Sequence, residues 1–337
     1  MSIDEGRAAD LRHDPIGLCR PANLKSLGGN EMKEFSLASV LLSSVAFASA
    51  AFAADPLPPV VVAPEVVPPP PVTTAAGYVD AHFGFRSLFE RFVVEEETEF
   101  EGNWRETVLG GAGRGAFHLS PTLVLQLDAW ANFFQRRFDD GETNNWATGG
   151  VGTHLVFQTP GGLGAGALLS YGREDGAWVN AAGEVAQSFG NFRVSGQAGV
   201  AFGVAGEAQL DGERTWYVTA AGTFYVNPDF AITGHVGFDR WYETADEDEM
   251  NYSRALTYGA RVELGLGQTP LSVYAGYMAR RETELSFDFP DEAYHLRTRT
   301  VYVGVRMLLG RDSLQEMGDA VGFADLNPIY GDQFAPR

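Results

Sequence analysis

The sequence predicts an all-β protein: a closed, up-and-down antiparallel transmembrane β-barrel of about twelve strands. Three observations predict it. Apolar and polar residues alternate along segment after segment, short and long connections alternate between those segments, and an export signal precedes the whole series. The stretch Phe230–Tyr242, FAITGHVGFDRWY, shows the first. Phe230, Ile232, Gly234, Val236 and Phe238 share one parity, and Ala231, Thr233, His235, Gly237 and Asp239 the other. A period of two marks a strand with one face in an apolar medium and the other in a polar one. A soluble sandwich would turn the apolar parity inward, and a membrane barrel turns it outward to lipid.

The amino-terminal segments bear on that choice. Residues 32–53 open with Met32 and Lys33, continue through an apolar run from Leu37 to Ala51, and end in the small-x-small triplet Ala51-Phe52-Ala53. This is the pattern of a secretory signal peptide cut after Ala53, with Glu34 as its one departure. The run falls short of the ~20 strongly apolar residues of a membrane-spanning helix. Residues 1–31 are expected to be a non-native upstream extension, polar and without helical or strand period. They hold the only cysteine, Cys19, so the processed chain has no thiol chemistry, as suits an exported protein that does not rely on disulfides. Both lysines, Lys25 and Lys33, also lie in segments expected to be removed, leaving arginine as the only strong base. A formal charge of −20 argues against nucleic acid as a partner and favours divalent cations or cationic solutes. Residues 54–76 contain DPLPPVVVAPEVVPPPPV, too rich in proline for helix or sheet, and read as a semi-rigid periplasmic linker.

From 77 to 310 the alternating segments follow one another without interruption. Tight turns fall at Ser120-Pro121, Pro160-Gly161, Gly190-Asn191, Pro228-Asp229 and Gly267–Pro270. Between them lie longer acidic connections such as ERFVVEEETEFEGNW, EDGAWVN and ETADEDEMNYS. Short turns on the periplasmic side and longer loops outside are the rhythm of an outer-membrane barrel. The strands are expected over 80–89, 105–119, 122–137, 147–159, 163–174, 181–189, 192–204, 214–226, 230–243, 254–266, 271–285 and 295–309. Most reach the ~9–11 residues that a tilted strand needs to cross a bilayer. The segment 181–189 is the least regular, and losing it with a neighbour would leave ten strands. Glycine within the strands, as at Gly110, Gly111, Gly113 and Gly115, argues against a sandwich, and closure removes the exposed edges that a sandwich would have to protect.

The last segment, YVGVRMLL, resembles the assembly signal of porin-like outer-membrane β-barrel proteins of Gram-negative bacteria, through Tyr302, Gly304, Met307 and Leu309. The resemblance covers the signal peptide, the proline-rich start and the barrel. It implies the cell outer membrane as location, and the barrel-assembly machinery, outer-membrane lipid and lipopolysaccharide as partners. In that family the signal usually ends the chain in an aromatic residue. Here residues 311–337 follow, read as a periplasmic tail ending in Arg337.

Inward parity supplies the candidates for a constriction: Asp80, Arg86, Arg114, Asp128, Arg193, His235, Asp239, Arg261, Glu263, Arg280, Glu282 and Arg306. Opposite charges facing one another in a narrow interior either select solutes by charge or pair and fill it. His82, His118, His154 and His235 share that parity, and His82 and His118 are expected to be near neighbours. Nothing in the sequence shows them converging on one ion, so no metal or other cofactor is expected. The acidic runs Glu95–Glu97 and Asp246–Glu249 lack the spacing of a calcium loop and read as a solvated rim. Ser170, Ser188, Ser195 and Ser272 fall in no recognisable nucleophile motif, so no catalytic residue is assigned and an enzyme is not expected. Arg297 and Arg299, on the lipid parity at the expected outer end of the last strand, are placed to meet lipopolysaccharide phosphates. Trp241 and Tyr242 are expected in an outer aromatic girdle. The function expected is a narrow porin-like channel for small hydrophilic solutes with acidic extracellular loops. The alternative is a non-conducting structural or surface-interaction barrel.

Overall fold

The computed structural model describes residues 75–94, 97–137, 143–159, 161–173, 176–206, 214–246, 249–285 and 292–320. The expected upstream extension, the signal peptide, nearly all of the proline-rich segment and the end of the tail lie outside the described residues. The strands are β1 (Ala75–Val94), β2 (Glu97–Ser120), β3 (Leu123–Arg137), β4 (Thr143–Gln158), β5 (Leu163–Arg173) and β6 (Gly176–Phe189). They continue as β7 (Phe192–Gly206), β8 (Arg214–Asn227), β9 (Phe230–Asp246), β10 (Glu249–Gly265), β11 (Leu271–Leu285) and β12 (Glu292–Leu309). Each pairs antiparallel with its neighbours in sequence, and β1 pairs with β12 from Gly77↔Leu309 to Val94↔Glu292, closing a barrel of twelve strands. The segment expected to be weakest is a full strand, Gly176–Phe189, so the ten-stranded alternative does not hold.

At one end the strands are joined by the expected turns. Glycine there supplies left-handed backbone, with φ +60° at Gly190 and +66° at Gly267. At the other end the strands run further than the alternation indicated. β1 continues to Val94 and β2 begins at Glu97, so most of ERFVVEEETEFEGNW is strand rather than loop. Likewise β6 takes up GAWVN of the acidic connection expected at 174–180. Beyond the bilayer both faces of a strand meet water, so charge on both parities ends the alternation without ending the ladder.

The two faces divide as the parity requires. Outward Val79, Phe83, Phe85, Val151, Leu169, Val301 and Val305 are all at least 40% exposed, while inward Asp80, His82, Arg86, His154 and Arg306 are at most 6% exposed. A soluble protein does not display a continuous apolar wall around a buried ionic interior; a closed barrel in lipid must. The interior is built largely from long side chains laid over glycine on the next strand. The Tyr302 ring covers Gly276, its partner in the ladder, and the Tyr274 ring covers Gly304, so that a Cβ at either glycine would strike the neighbouring ring. Tyr274 and Tyr302 in turn meet edge to face at 6.2 Å.

A short helix follows the last strand. Gly310, at φ +73°, lets the chain leave β12 and turn across the mouth of the barrel. Ser313 starts α1 (Leu314–Ala320) by accepting the Glu316 N–H at 3.2 Å. Leu314, Met317 and Ala320 are buried in one cluster with inward residues of the turn end, including Tyr78, Val124, Val156, Tyr225 and Leu308.

Candidate functional site

The candidate site is the lumen, where the ladder registers fix which charges meet. Asp80↔Arg306 is a direct cross-strand pair at the β1–β12 seam. The Arg306 guanidinium donates to Asp80 at 2.9 Å and to Glu263 of β10 at 3.3 Å. Glu263 also accepts the Ser272 hydroxyl at 2.6 Å and lies 3.3 Å from Arg261. The Tyr78 ring lies beneath Arg306, 3.9 Å from the guanidinium, with Arg114 5.9 Å from its centroid. Tyr78 therefore links this group to the next one.

That next group runs across β2, β3, β4, β6 and β7. Arg114 Nε donates to Asp128 at 2.8 Å, and the other carboxylate oxygen of Asp128 lies 3.0 Å from His154 Nε2. His154 Nδ1 lies 2.7 Å from Glu184, which also accepts the Gln197 amide. Arginine, carboxylate, imidazole and carboxylate thus alternate, each buried carboxylate being held by hydrogen bonds. This is the condition under which a low-dielectric interior tolerates charge.

Two further groups lie nearer the loop end. Glu106 receives both Arg86 and Arg136, with Arg136 Nη2 at 2.7 Å, and Arg86 lies 4.3 Å above the Phe134 ring. Phe134 is itself stacked on Trp146. Across the lumen, Arg280 holds Asp239 through two bonds of 2.7 and 2.8 Å, and Glu282 at 3.1 Å. Such two-pronged contact suits the planar guanidinium.

Of the expected constriction residues, all but Arg193 and His235 enter these groups. His235 lies against Gly259 of β10. Arg193 points to the turn end, where it lies 3.6 Å from Asp319 of α1. The histidines occupy separate places. His82 pairs with Gly110 and bonds Asn132 at 3.0 Å, whereas His118 is eight residues further along β2, next to the turn. The expected proximity of His82 and His118 is thus corrected by the register. Trp241 is also corrected: it is 5% exposed and shares the inward parity of Asp239, while Tyr242 alone faces out. Glu106, Glu184, Arg136 and Gln197 were not among the expected site residues, although inward parity within their strands marks them as surely as it marks Asp128. The strand serines serve the structure: Ser170 accepts from Asn180 at 3.2 Å, Ser188 donates to Asp319 at 2.8 Å, and Ser272 donates to Glu263.

The lumen is uneven around its circumference. From β10 through β12 and β1 to β4 it is lined by the arginines, carboxylates and tyrosines described above. On β7, β8 and β9, between the larger Arg193, Gln197, Tyr217, Tyr225, Asp239 and Trp241, five inward residues are small: Ser195, Thr219, Ala221, Thr223 and Thr233, each only half-buried. They occupy neighbouring ladder positions, as in Ser195↔Ala221↔His235 and Arg193↔Thr223↔Thr233. A polar strip of short side chains therefore faces a wall of long, paired ones.

At the turn end α1 crosses this interior. Its Gln315 N–H donates to Pro228 O at 3.1 Å and its Gln315 amide to Gly190 O at 3.2 Å. Asp319 accepts from Ser188, and Gly318 sits against the Tyr225 hydroxyl where a Cβ would not fit.

No family model and no curated protein matches this sequence. Among solved structures, an outer-membrane channel from Pseudomonas putida F1 is similar at 9% identity and a TM-score of 0.47, covering 69% of this chain and 96% of that one. The NanC porin is similar at 9% identity and a TM-score of 0.40, over 68% and 100% of the two chains. The outer-membrane protease OmpT from Escherichia coli is similar at 9% identity and a TM-score of 0.34, over 69% and 97%. Apart from those likenesses, closure, an apolar outer wall and a paired ionic interior are the physical requirements for spanning lipid with strands. The chain is a closed, twelve-stranded transmembrane β-barrel.

Proposed function

We propose that the barrel passes small hydrophilic solutes through a narrow polar path along the β7–β9 wall. The observation that carries this reading is the half-buried strip of Ser195, Thr219, Ala221, Thr223 and Thr233, short inward side chains in a lumen lined elsewhere by long, paired ones. Barrels of ~8 strands are filled by side chains and those of ~16 hold a wide channel, so twelve strands with one small-residue wall leave a passage of small bore. Its lining is hydroxyl-rich and its opposite wall is internally neutralised, which favours small neutral or singly charged species over polyions.

The test is planar-bilayer recording on the refolded barrel. Discrete small conductance steps are expected, and Thr219→Trp with Ala221→Trp, which fill the strip, should reduce the step size several-fold. Absence of current at any voltage would overturn the reading.

A second reading, a non-conducting structural barrel, draws on one specific observation. α1 lies over the turn-end mouth, with Leu314, Met317 and Ala320 buried among lumen residues. If α1 closes the path permanently, current should appear only after residues 311–337 are removed.

A further inference from the structure

The lumen arginines differ in where their carboxylates come from. Arg86, Arg114, Arg136, Arg261, Arg280 and Arg306 each meet a carboxylate carried by a strand of the wall. Arg193 meets one carried by α1, Asp319, at 3.6 Å. A strand carboxylate is fixed by its ladder, whereas α1 follows the turn at Gly310 and is held against the barrel by its docking contacts. A helix of seven residues has little stability of its own, so α1 forms and docks as one event.

The two side chains are unequally placed, that of Arg193 being 10% exposed and that of Asp319 50%. A buried cation is thus covered by a half-exposed anion on a detachable element. Ser188, the ladder partner of Arg193, completes the contact. Its hydroxyl accepts from Arg193 Nη1 at 3.2 Å and donates to Asp319 at 2.8 Å. On its other side Arg193 pairs with Thr223, which in turn pairs with Thr233. The hydroxyls of Thr223 and Thr233, 3.0 Å apart, are those of the small-residue strip nearest the turns. The strip therefore ends beside Arg193, with Asp319 against it.

We propose that Arg193 and Ser188 form a binding site for a small monocarboxylate, and that Asp319 is its built-in occupant, displaced when a solute carboxylate binds. One guanidinium and one hydroxyl converge there, which suits a single negative charge, and Asp319 occupies both. At 3.6 Å its oxygen is beyond hydrogen-bond length from the guanidinium. A free carboxylate, not tied to a helix, can close to about 2.8 Å in a charge-assisted bond. Solute and helix then exclude each other: carboxylate binding favours the undocked helix, and docking lowers the apparent affinity for carboxylate. How a solute arrives rests on the path proposed above, but binding and helix position are read without current, so the two readings fail separately.

The test uses the full chain refolded in neutral detergent, with Cys19→Ser and a nitroxide label on Glu316→Cys, an exposed position of α1. Acetate is the probe. It should raise the mobility of the label saturably, and chloride at equal ionic strength should not. Nuclear magnetic resonance of carbon-13 acetate reads the affinity itself. Asp319→Asn should bind acetate roughly fivefold more tightly, the shift expected on losing one half-exposed ion pair. Arg193→Gln should lose acetate binding while keeping the heat-modifiable gel migration of a closed barrel. Should it fail to fold, Arg193→Lys keeps the charge without the fork and should bind acetate severalfold more weakly. Acetate acting no differently from chloride would mean that ions only screen the contact, and overturns the proposal. So does equal acetate affinity in the parent and Asp319→Asn, or acetate binding left unchanged by substitution of Arg193.

Discussion

At Asp128 a guanidinium, an imidazole and an amide share one carboxylate. Arg114, His154 and Gln126 all reach it, and the Asp128 side chain is 12% exposed. Removing the carboxylate takes both Asp128 contacts from Arg114 and breaks the alternation that continues to Glu184. Asp128→Ala should therefore cost about 3 kcal/mol, the lower end for breaking a buried pair. It should be visible as a lower urea midpoint for unfolding of the vesicle-inserted barrel. Asp128→Asn, which keeps the shape but not the charge, should recover little of that loss. Residue-scale facts of this kind were half legible in the sequence. Parity places Asp128 and His154 inside, but only the register brings β3, β4 and β6 together so that His154 lies between two carboxylates. Trp241 shows the opposite failure. Its bulk and its place beside Tyr242 suggest a lipid interface, whereas strict alternation from Asp239 sends it inward. Composition misled where the period was right.

Among the elements, the strands were legible because every membrane-crossing segment repeats one signal, and the turns because Gly190, Pro228 and Gly267 interrupt it. Strand ends at the loop side were not legible, because the contrast between faces vanishes once both are wet. The pairing of ring with glycine adds a constraint that alternation cannot show. Gly276 looks like a weak point in β11, yet it is where the Tyr302 ring rests. Gly276→Val raises strand propensity and should nonetheless destabilise the barrel by about 1–3 kcal/mol, the usual cost of overpacking. The measurement is the temperature at which the compact gel band converts to the unfolded one. Gly183, an exposed glycine with open space at its Cβ, is the control at which Val should be neutral. Helix α1 carried a signal that the strand pattern overshadowed. Ser313-Leu314-Gln315-Glu316 is a capping sequence, and Leu314 and Met317 are one helical turn apart.

On the scale of the whole molecule, one closed wall separates an ionic interior from an apolar exterior, and α1 sits across one opening. Its hold combines a buried apolar face with the Asp319 contacts to Ser188 and Arg193. Met317→Asp places a charge in that cluster and should release the helix. The conductance of the inserted barrel is then expected to rise several-fold, with gel migration unchanged. An unchanged conductance would mean that α1 supports the wall without obstructing the path.

The β1–β12 seam has a consequence in time. Arg306 and Asp80, bonded across it, are 226 positions apart in the chain. Every other pairing in the barrel joins strands adjacent in sequence, so eleven hairpin contacts can form locally while this one waits for the final segment. Until then the sheet has two open edges, each able to pair with a foreign strand. Closing so long a loop is slow, since its entropy must be lost before any contact rewards it. The residues that end this exposure are those of the last strand itself, with Tyr302 and Gly304 facing Gly84 and His82. The barrel is thus vulnerable for as long as its last strand is missing, and a chain cut before Tyr302 should accumulate as an aggregate rather than as a smaller barrel.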